Sequence, residues 1–129
     1  RRRPNPDRGL RDMPRQISAL PDADHLRTEA QWRTHICSAR GWDEEVQTDS
    51  GAYVDCVGSG VAWEVDWSSK WAEAIGQSLL YSAELRMRPG IILLCRKGEL
   101  YCLRHKYRLQ VAIGQASDVD FEIMYVEAK

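Results

Sequence analysis

The chain has 129 residues, of which 43% are hydrophobic and 29% charged, and its formal net charge is −1. This length and composition are typical of one globular domain with a single core. They exclude a disordered chain, a collagen-like repeat and a small disulfide scaffold. No apolar run approaches the roughly 18 residues that a membrane-spanning helix needs, so we expect no membrane contact.

Positive charge is concentrated at the start of the chain. Residues 1–15 contain six arginines and two aspartates, and residues 1–22 hold four of the five prolines. We therefore expect a basic, proline-containing arm over 1–22, followed by a folded domain over 23–129. Such an arm either lies along phosphates or serves as a solubilising or inter-domain tail.

The four cysteines show no metal-binding spacing. They stand at positions 37, 56, 95 and 102, which fits neither a Cys-x-x-Cys pair nor a zinc ribbon. Cys56 and Cys95 fall in predicted strands, where cysteine behaves as a small apolar residue. We expect all four to be reduced and structural, and the protein to be cytoplasmic.

The hydrophobic pattern predicts, in chain order, a helix, three strands, a helix, a strand, a helix and a strand. The first helix is expected over about 24–39 with Asp24 as its cap, followed by a strand at Val46 and strands over 52–57 and 61–66. The second helix is expected from Ser68 or Ser69 to about Met87, closed by Pro89-Gly90, and a strand over 91–96 follows it. The last helix is expected over 99–113, with Leu100, Leu103, Tyr107 and Val111 on one side, and the last strand over 121–126. This order predicts an α/β fold, with a mixed sheet flanked by helices.

Acidic residues gather on the predicted hairpin of the second and third strands. Asp55 and Glu64 flank this hairpin, and Glu64 and Asp66 project from the same face because side chains alternate along a strand. Three carboxylates in one small volume repel each other unless a cation or a proton holds them. All-oxygen clusters of this kind suit Mg²⁺ or Mn²⁺. The alternative is a surface hairpin with solvated acids.

The helix after the hairpin carries a polar stripe. At about 100° per residue, Lys70, Gln77 and Tyr81 project within about 40° of each other. Ile75 and Leu79 occupy another sector and are expected to face the sheet. Lys70 follows the acidic strand closely enough to reach over the acids, where an ammonium would help to orient a water molecule and stabilise charge on a phosphorane-like transition state.

The order of these residues resembles the PD-(D/E)XK nuclease superfamily. The resemblance rests on Asp55, then Glu64-Val65-Asp66, then Lys70, then the Gln77-x-x-x-Tyr81 pattern that is typical of the RecB-like branch. It covers roughly residues 25–126, and the segment from Glu64 to Tyr81 is similar to small bacterial and phage proteins of that superfamily. It implies a restriction-endonuclease-like αβββαβ core and metal-dependent hydrolysis of DNA phosphodiester bonds that leaves a 5′-phosphate.

The resemblance also implies roles for individual residues. Asp55 and Glu64 would bind Mg²⁺ or Mn²⁺, and Lys70 would be the catalytic lysine. Gln77 and Tyr81 would line the DNA-binding side, contacting the backbone or orienting the site. Glu29, on the first helix, would match a further metal ligand. Some members of the superfamily pair, so the resemblance is compatible with a homodimer.

Two positions depart from the family pattern. Val54 replaces the proline that precedes the first aspartate, and Asp66 stands where the lysine is expected. An acid cannot act as the cation, so activity would depend on Lys70, and Asp66 would instead join the metal ligands. If Lys70 cannot act as the catalytic lysine, the alternative is a catalytically inactive DNA- or protein-binding module on the same fold. A further alternative is an interaction domain that uses the basic arm.

Overall fold

The computed structural model describes residues 25–96 and 100–128, so the arm predicted over 1–22 lies outside the described residues. Within them the chain forms α1 (Glu29–Ala39), β1 (Asp43–Gln47), β2 (Tyr53–Gly58), β3 (Val61–Trp67), a 3-10 turn (Ser68–Lys70), α2 (Trp71–Leu85), β4 (Arg88–Arg96), α3 (Leu100–Gln115) and β5 (Glu122–Ala128). The predicted order of elements is confirmed. In the described part of the chain, no helix combines the length and apolarity needed to cross a membrane.

The five strands form one mixed sheet. Their order in the sheet is the order in the chain, β1-β2-β3-β4-β5. The pairs β1–β2 and β2–β3 are antiparallel, whereas β3–β4 and β4–β5 are parallel. The two parallel connections are made by α2 and α3, as parallel neighbours require a crossover of about a dozen residues or more. The predicted α/β class with a mixed, helix-flanked sheet is confirmed.

Hydrophobic cores lie on both faces of the sheet. Trp63 and Val65 of β3 pack with Ile36 of α1 on one face. Ile91 and Leu93 of β4 pack on the other face, in a cluster that also includes residues of α2 and α3. Burial on two faces gives the near-continuous apolar runs of the central parallel strands. Since side chains alternate, the residues between Trp63, Val65 and Trp67 project toward α2 and α3.

The first helix begins later than the sequence pattern predicted. Its cap is Thr28, whose hydroxyl accepts a hydrogen bond from the Gln31 backbone N–H at 3.1 Å, while the Gln31 side chain accepts from the Thr28 N–H at 3.1 Å. This reciprocal capping box satisfies two backbone donors at the start of the helix. Asp24, the predicted cap, lies outside the described residues.

The boundary between α2 and β4 is also displaced from the prediction. The helix ends at Leu85, and Arg86 adopts a left-handed conformation with φ of 56°. Pro89 and Gly90, predicted to stop the helix, belong to β4, where both are buried. A proline near the start of a strand is tolerated because its missing N–H costs little there.

The predicted face of the last helix is the outer one. Leu100, Leu103 and Tyr107 of α3 are 78%, 63% and 68% exposed, whereas Leu109 and Ile113 are buried against the sheet. The sequence of α3 is apolar on two sides, so periodicity alone could not tell which side the sheet would cover.

The predicted sheet-facing sector of α2 is confirmed for Ile75, which is partly buried against the core, but it is wrong for Leu79. Leu79 is exposed, and the residues buried from this helix are Ala74, Ser78 and Tyr81. Small residues at 74 and 78 let the helix approach the sheet, and the Ser78 hydroxyl donates to the Gly90 carbonyl at 3.5 Å. This rotation turns Tyr81 inward, toward the acidic residues of β3.

The four cysteines, predicted to be reduced, form two disulfides. Cys37 of α1 pairs with Cys56 of β2, and Cys95 at the end of β4 pairs with Cys102 of α3. Their Cα atoms are 6.0 and 5.5 Å apart, within the range of protein disulfides. The partners come from different elements, so their spacing in the sequence gave no signal of pairing. The predicted cytoplasmic location loses the support of reduced cysteines.

Candidate metal centre

The register of the β2–β3 hairpin brings Asp55 and Glu64 together. The last backbone pair of the hairpin is Cys56 with Trp63. When the same register is extended by one residue, it places Asp55 opposite Glu64. Beyond the last pair, Asp55 Oδ2 accepts a hydrogen bond from the Val65 backbone N–H at 2.7 Å. The carboxylate therefore takes the acceptor position that a strand carbonyl would otherwise fill, which fixes its orientation.

Glu64 is a buried carboxyl group directly beside Asp55. It is only 4% exposed, and its carboxyl lies within hydrogen-bonding reach of the Asp55 carboxylate. Burial, and then the hydrogen bond and charge of Asp55, raise the pKa of Glu64 to about 10. At neutral pH Glu64 is therefore protonated in the metal-free protein and donates to Asp55, because two adjacent carboxylates cannot both ionise without a counter-charge.

The following helix supplies two partners to Glu64. With its amide nitrogen turned toward the carboxyl, Gln77 Nε2 lies 2.9 Å from Glu64 Oε2 and 3.2 Å from Oε1. Tyr81, one turn later, is buried and its hydroxyl interacts with the same carboxyl group. Burial, and then the negative charge that Glu64 gains at alkaline pH, raise the pKa of Tyr81, so its phenol stays protonated. The i, i+4 spacing of the two residues is what lets both reach one carboxyl.

A second carboxyl pair lies next to the first. Asp66 of β3 is 4% exposed and interacts with Glu29 at the start of α1. Burial, and then the charge of Glu29, raise the pKa of Asp66 to about 7. Burial, and then the charge of Asp55, raise the pKa of Glu29. The four acidic residues singled out in the sequence therefore share one electrostatic environment.

Lys70 stands at the rim of this environment. It is exposed, at the end of the 3-10 turn that links β3 to α2. Its positive charge lowers the pKa of both Glu29 and Asp66, opposing the larger effect of burial. Among the described residues, no carboxylate lies within ion-pair distance of Lys70. The ammonium is near the acids, but it does not contact them in this geometry.

The donor set fits Mg²⁺ as a two-carboxylate site. Among the residues described, no three His, Cys, Asp or Glu side chains converge as ligands of one ion, so the predicted four-residue set is not assembled around a single point. Mg²⁺, however, is usually held by one or two carboxylates together with water and substrate phosphates. Adjacent ligand oxygens on its octahedron are about 3 Å apart, close to a hydrogen-bond distance. The adjacent carboxyl groups of Asp55 and Glu64 are therefore compatible with a cation of this kind.

Arg33 is a neighbour of this site that the sequence analysis did not single out. Its Nη1 atom lies 3.8 Å from Asp55 Oδ1 and 3.9 Å from Glu29 Oε2. The spacing of four residues between Glu29 and Arg33 on one helix was the available signal. Its contact with Asp55 depends on how α1 packs against β2, which the local pattern does not contain.

Comparison with known proteins gives no assignment for this chain. No protein-family model matches it, and neither the curated proteins nor the solved structures include a match.

Proposed function

We propose that this protein is an Mg²⁺-dependent nuclease that hydrolyses DNA phosphodiester bonds, with a restriction-endonuclease-like core. The observation that carries the proposal is the convergence on Glu64: Asp55 from the neighbouring strand, and Gln77 and Tyr81 from the next helix, all reach this buried carboxyl. A buried carboxyl with a strongly raised pKa and several polar partners is a feature of functional sites rather than of a stable core.

Each side chain of the site has a separate role in the proposed reaction. A divalent cation bound by Asp55 and Glu64 would polarise the scissile phosphate and neutralise charge on it. Gln77 and Tyr81 hold the Glu64 carboxyl in place, and the Val65 amide holds Asp55. Lys70, extended from the rim, orients the attacking water and stabilises the negative charge that develops on the phosphate oxygens.

A cation near the carboxylates favours a polyanionic substrate. Lys70 ends the 3-10 turn that follows β3, and its charge acts on Glu29 and Asp66. An exposed ammonium at this position can contact a phosphate that is bound beside the carboxyl cluster. Arg96, whose guanidinium lies 4.5 Å from the centre of the Trp67 ring, is on the α1 face of the sheet and so on the side opposite to Glu64.

The test is cleavage of DNA by the full chain with Mg²⁺ or Mn²⁺. Supercoiled plasmid, linear duplex and single-stranded oligonucleotides are incubated with the wild type, Asp55→Asn, Glu64→Gln and the control Glu122→Gln. Glu122 pairs with Arg88 at the start of β5, away from the carboxyl cluster. We expect cleavage by the wild type and the control, and none by the other two variants, although all four proteins unfold cooperatively.

Cleavage that survives excess EDTA, or that continues at the wild-type rate in Asp55→Asn and Glu64→Gln, would contradict the proposal. Replacing either carboxylate by its amide changes the shape of the side chain very little. A loss of activity in these variants therefore reports on the charge that holds the cation.

A second candidate function is DNA binding without cleavage. It is favoured by Asp66 at the position of the family's lysine, and by the exposed Lys70, which contacts no described carboxylate. The two functions are separated by measuring DNA affinity at several salt concentrations without metal, alongside the cleavage assay. Salt-dependent binding with no cleavage of any DNA form supports this candidate over the nuclease.

A further inference from the structure

A single guanidinium on α1 faces four carboxylates. Arg33 donates from Nε to Glu44 Oε2 at 3.0 Å, and its Nη2 atom lies 3.1 Å from Glu45 Oε1. Its Nη1 atom points the other way, between Asp55 Oδ1 at 3.8 Å and Glu29 Oε2 at 3.9 Å. The Arg33 side chain is 17% exposed. The two residues of β1 thus anchor Arg33, while its free edge is directed at the candidate metal centre.

The backbone of β1 is distorted at the residue that anchors Arg33. Glu45 has φ of 54°, in the left-handed region that side chains other than glycine rarely adopt. The β1–β2 pairs on either side of it place Glu45 opposite Asp55. Such a conformation costs free energy and persists only where surrounding contacts hold it. Glu45 is also the residue that pairs with Arg33, so the distortion and the ion pair occur together beside Asp55.

Arg33 interacts electrostatically with the carboxylates around it. The pKa of Arg33 is raised by its hydrogen bond to Glu44 and by the charge of Asp55, against the opposing effect of burial. The charge of Arg33 also lowers the pKa of Glu29. Lys70 is exposed and outside ion-pair distance of these acids. Within the described residues, Arg33 is therefore the cation that is held against Asp55 and Glu29.

We infer that Arg33 is a resident counter-cation of the carboxyl cluster, which balances Asp55 and Glu29 in the metal-free protein and opposes, by charge repulsion, the divalent cation that enters beside them. This inference rests on the proposed function, since it requires that a divalent cation binds at Asp55 and Glu64. Arg33 is a positioning residue in this scheme. Its charge lowers the affinity of the site for the divalent cation, and it stabilises the folded protein when no metal is bound.

The inference is tested by the direction in which Mn²⁺ affinity changes. Mn²⁺ binding to the full chain is followed by electron paramagnetic resonance of the free ion, for wild type, Arg33→Gln, Arg33→Lys and Arg40→Gln. Arg40 follows α1 and lies over the Trp42 ring, so it serves as the matched control. Loss of a cation near a divalent ion in a partly solvated site predicts roughly tenfold tighter binding by Arg33→Gln. Arg33→Lys and Arg40→Gln are expected within about twofold of wild type.

Thermal unfolding provides the second readout. In EDTA, Arg33→Gln is expected to unfold at a lower temperature than wild type, because the cluster has lost its counter-cation. Saturating Mn²⁺ is expected to bring the unfolding temperature of Arg33→Gln closer to that of the wild type, because a ligand that binds the variant more tightly stabilises the variant more. A residue with only a structural role would leave the difference unchanged by Mn²⁺.

Each outcome decides the inference. Weaker or unchanged Mn²⁺ binding by Arg33→Gln overturns it, with the metal site itself intact in the wild type. A wild type that binds no Mn²⁺ at millimolar concentration removes the proposed function, and the inference with it. If Arg33→Gln does not fold, the double variant Glu29→Gln, Arg33→Gln, which removes one charge of each sign, is compared with Glu29→Gln alone. Tighter Mn²⁺ binding by the double variant than by Glu29→Gln supports the inference, and equal or weaker binding overturns it.

Discussion

The carboxyl cluster and the outer side of α3 depart in opposite ways from the usual distribution of residues. In the cluster, Glu64 and Asp66 are each 4% exposed, although burial of an acid costs free energy. On α3, Leu103 and Tyr107 are more than half exposed, although their burial would be favourable. Neither arrangement follows from hydrophobic burial alone.

The two regions differ in whether other contacts offset the unfavourable placement of their side chains. The buried acids have partners: a backbone amide for Asp55, and Gln77 and Tyr81 for Glu64. A polar network of this kind offsets the cost of burying the acids, and it is a common feature of functional sites. The exposed apolar side of α3 needs no compensation, because single apolar residues on a surface cost little. Substitutions in the two regions should therefore have different consequences.

The largest expected effect is on the rate of catalysis, and it follows from substitution of Lys70 at the rim of the carboxyl cluster. If the proposed nuclease function holds, Lys70→Met should reduce the rate of metal-dependent DNA cleavage by about 100- to 1,000-fold, because in the proposed mechanism Lys70 stabilises charge in the transition state. Its unfolding should not change, since the side chain is exposed. Single-turnover cleavage rates check this, with Ser69→Ala as the control at the neighbouring exposed position. A Lys70→Met variant that cleaves as fast as the control would exclude Lys70 from the mechanism.

A smaller effect, now on stability, should separate the two sides of α3. Leu109→Ala removes a fully buried side chain and is expected to lower the free energy of unfolding by about 2–5 kcal/mol. Leu103→Ala, on the exposed side, is expected to change it by about 0.5 kcal/mol or less. Urea unfolding of both variants in one buffer measures the difference. Equal losses would mean that the outer side of α3 is covered in solution.

The smallest effect should be the pH dependence of stability that Glu64 produces. The pKa of Glu64 is raised from 4.5 to about 10 in the folded protein, so below pH 10 the folded state holds a proton that the unfolded state has released above 4.5. The stability of the metal-free protein should therefore fall as pH rises over this window, by at most about 1.4 kcal/mol per pH unit. Asp66, with its pKa raised to about 7, adds to the fall at the acidic end.

Glu64→Gln should flatten this dependence, because the amide does not titrate. Urea unfolding in EDTA from pH 6 to 9 compares it with the wild type and with Glu122→Gln. At pH 9 we expect Glu64→Gln to be the most stable of the three, by about 1–3 kcal/mol. A wild-type profile that is flat, or that rises with pH, would mean that Glu64 is ionised in the folded protein.

Much of the fold could be predicted because its signals are local. Alternation in Trp63, Val65 and Trp67 indicated a strand with one apolar face, and the short Gly58-Ser59-Gly60 segment indicated a hairpin. From these two features alone, Asp55 and Glu64 were expected to flank one hairpin, and the register confirms that they lie opposite each other. Where helices begin was less predictable, since Thr28 and Asp24 are both acceptable caps.

The site was predicted where it depends on one hairpin and one helix, and missed where it depends on packing between distant elements. Gln77 and Tyr81 follow from helical spacing, but the rotation of α2 that buries Tyr81 and exposes Leu79 does not. The contact of Arg33 with Asp55 depends on α1 lying beside β2, as does the disulfide between Cys37 and Cys56. Neither has a signal within a window of neighbouring residues.

The sequence alone determined the order of helices and strands and the presence of a carboxyl pair on the β2–β3 hairpin, because periodicity and hairpin register act over a few residues. Only the tertiary structure decided which side of α2 and of α3 is buried, which cysteines pair, and which cation lies against Asp55. These features depend on free energies of packing between elements far apart in the chain. A helix that is apolar on two sides, or an arginine that can reach several acids, has alternatives that only the complete fold distinguishes.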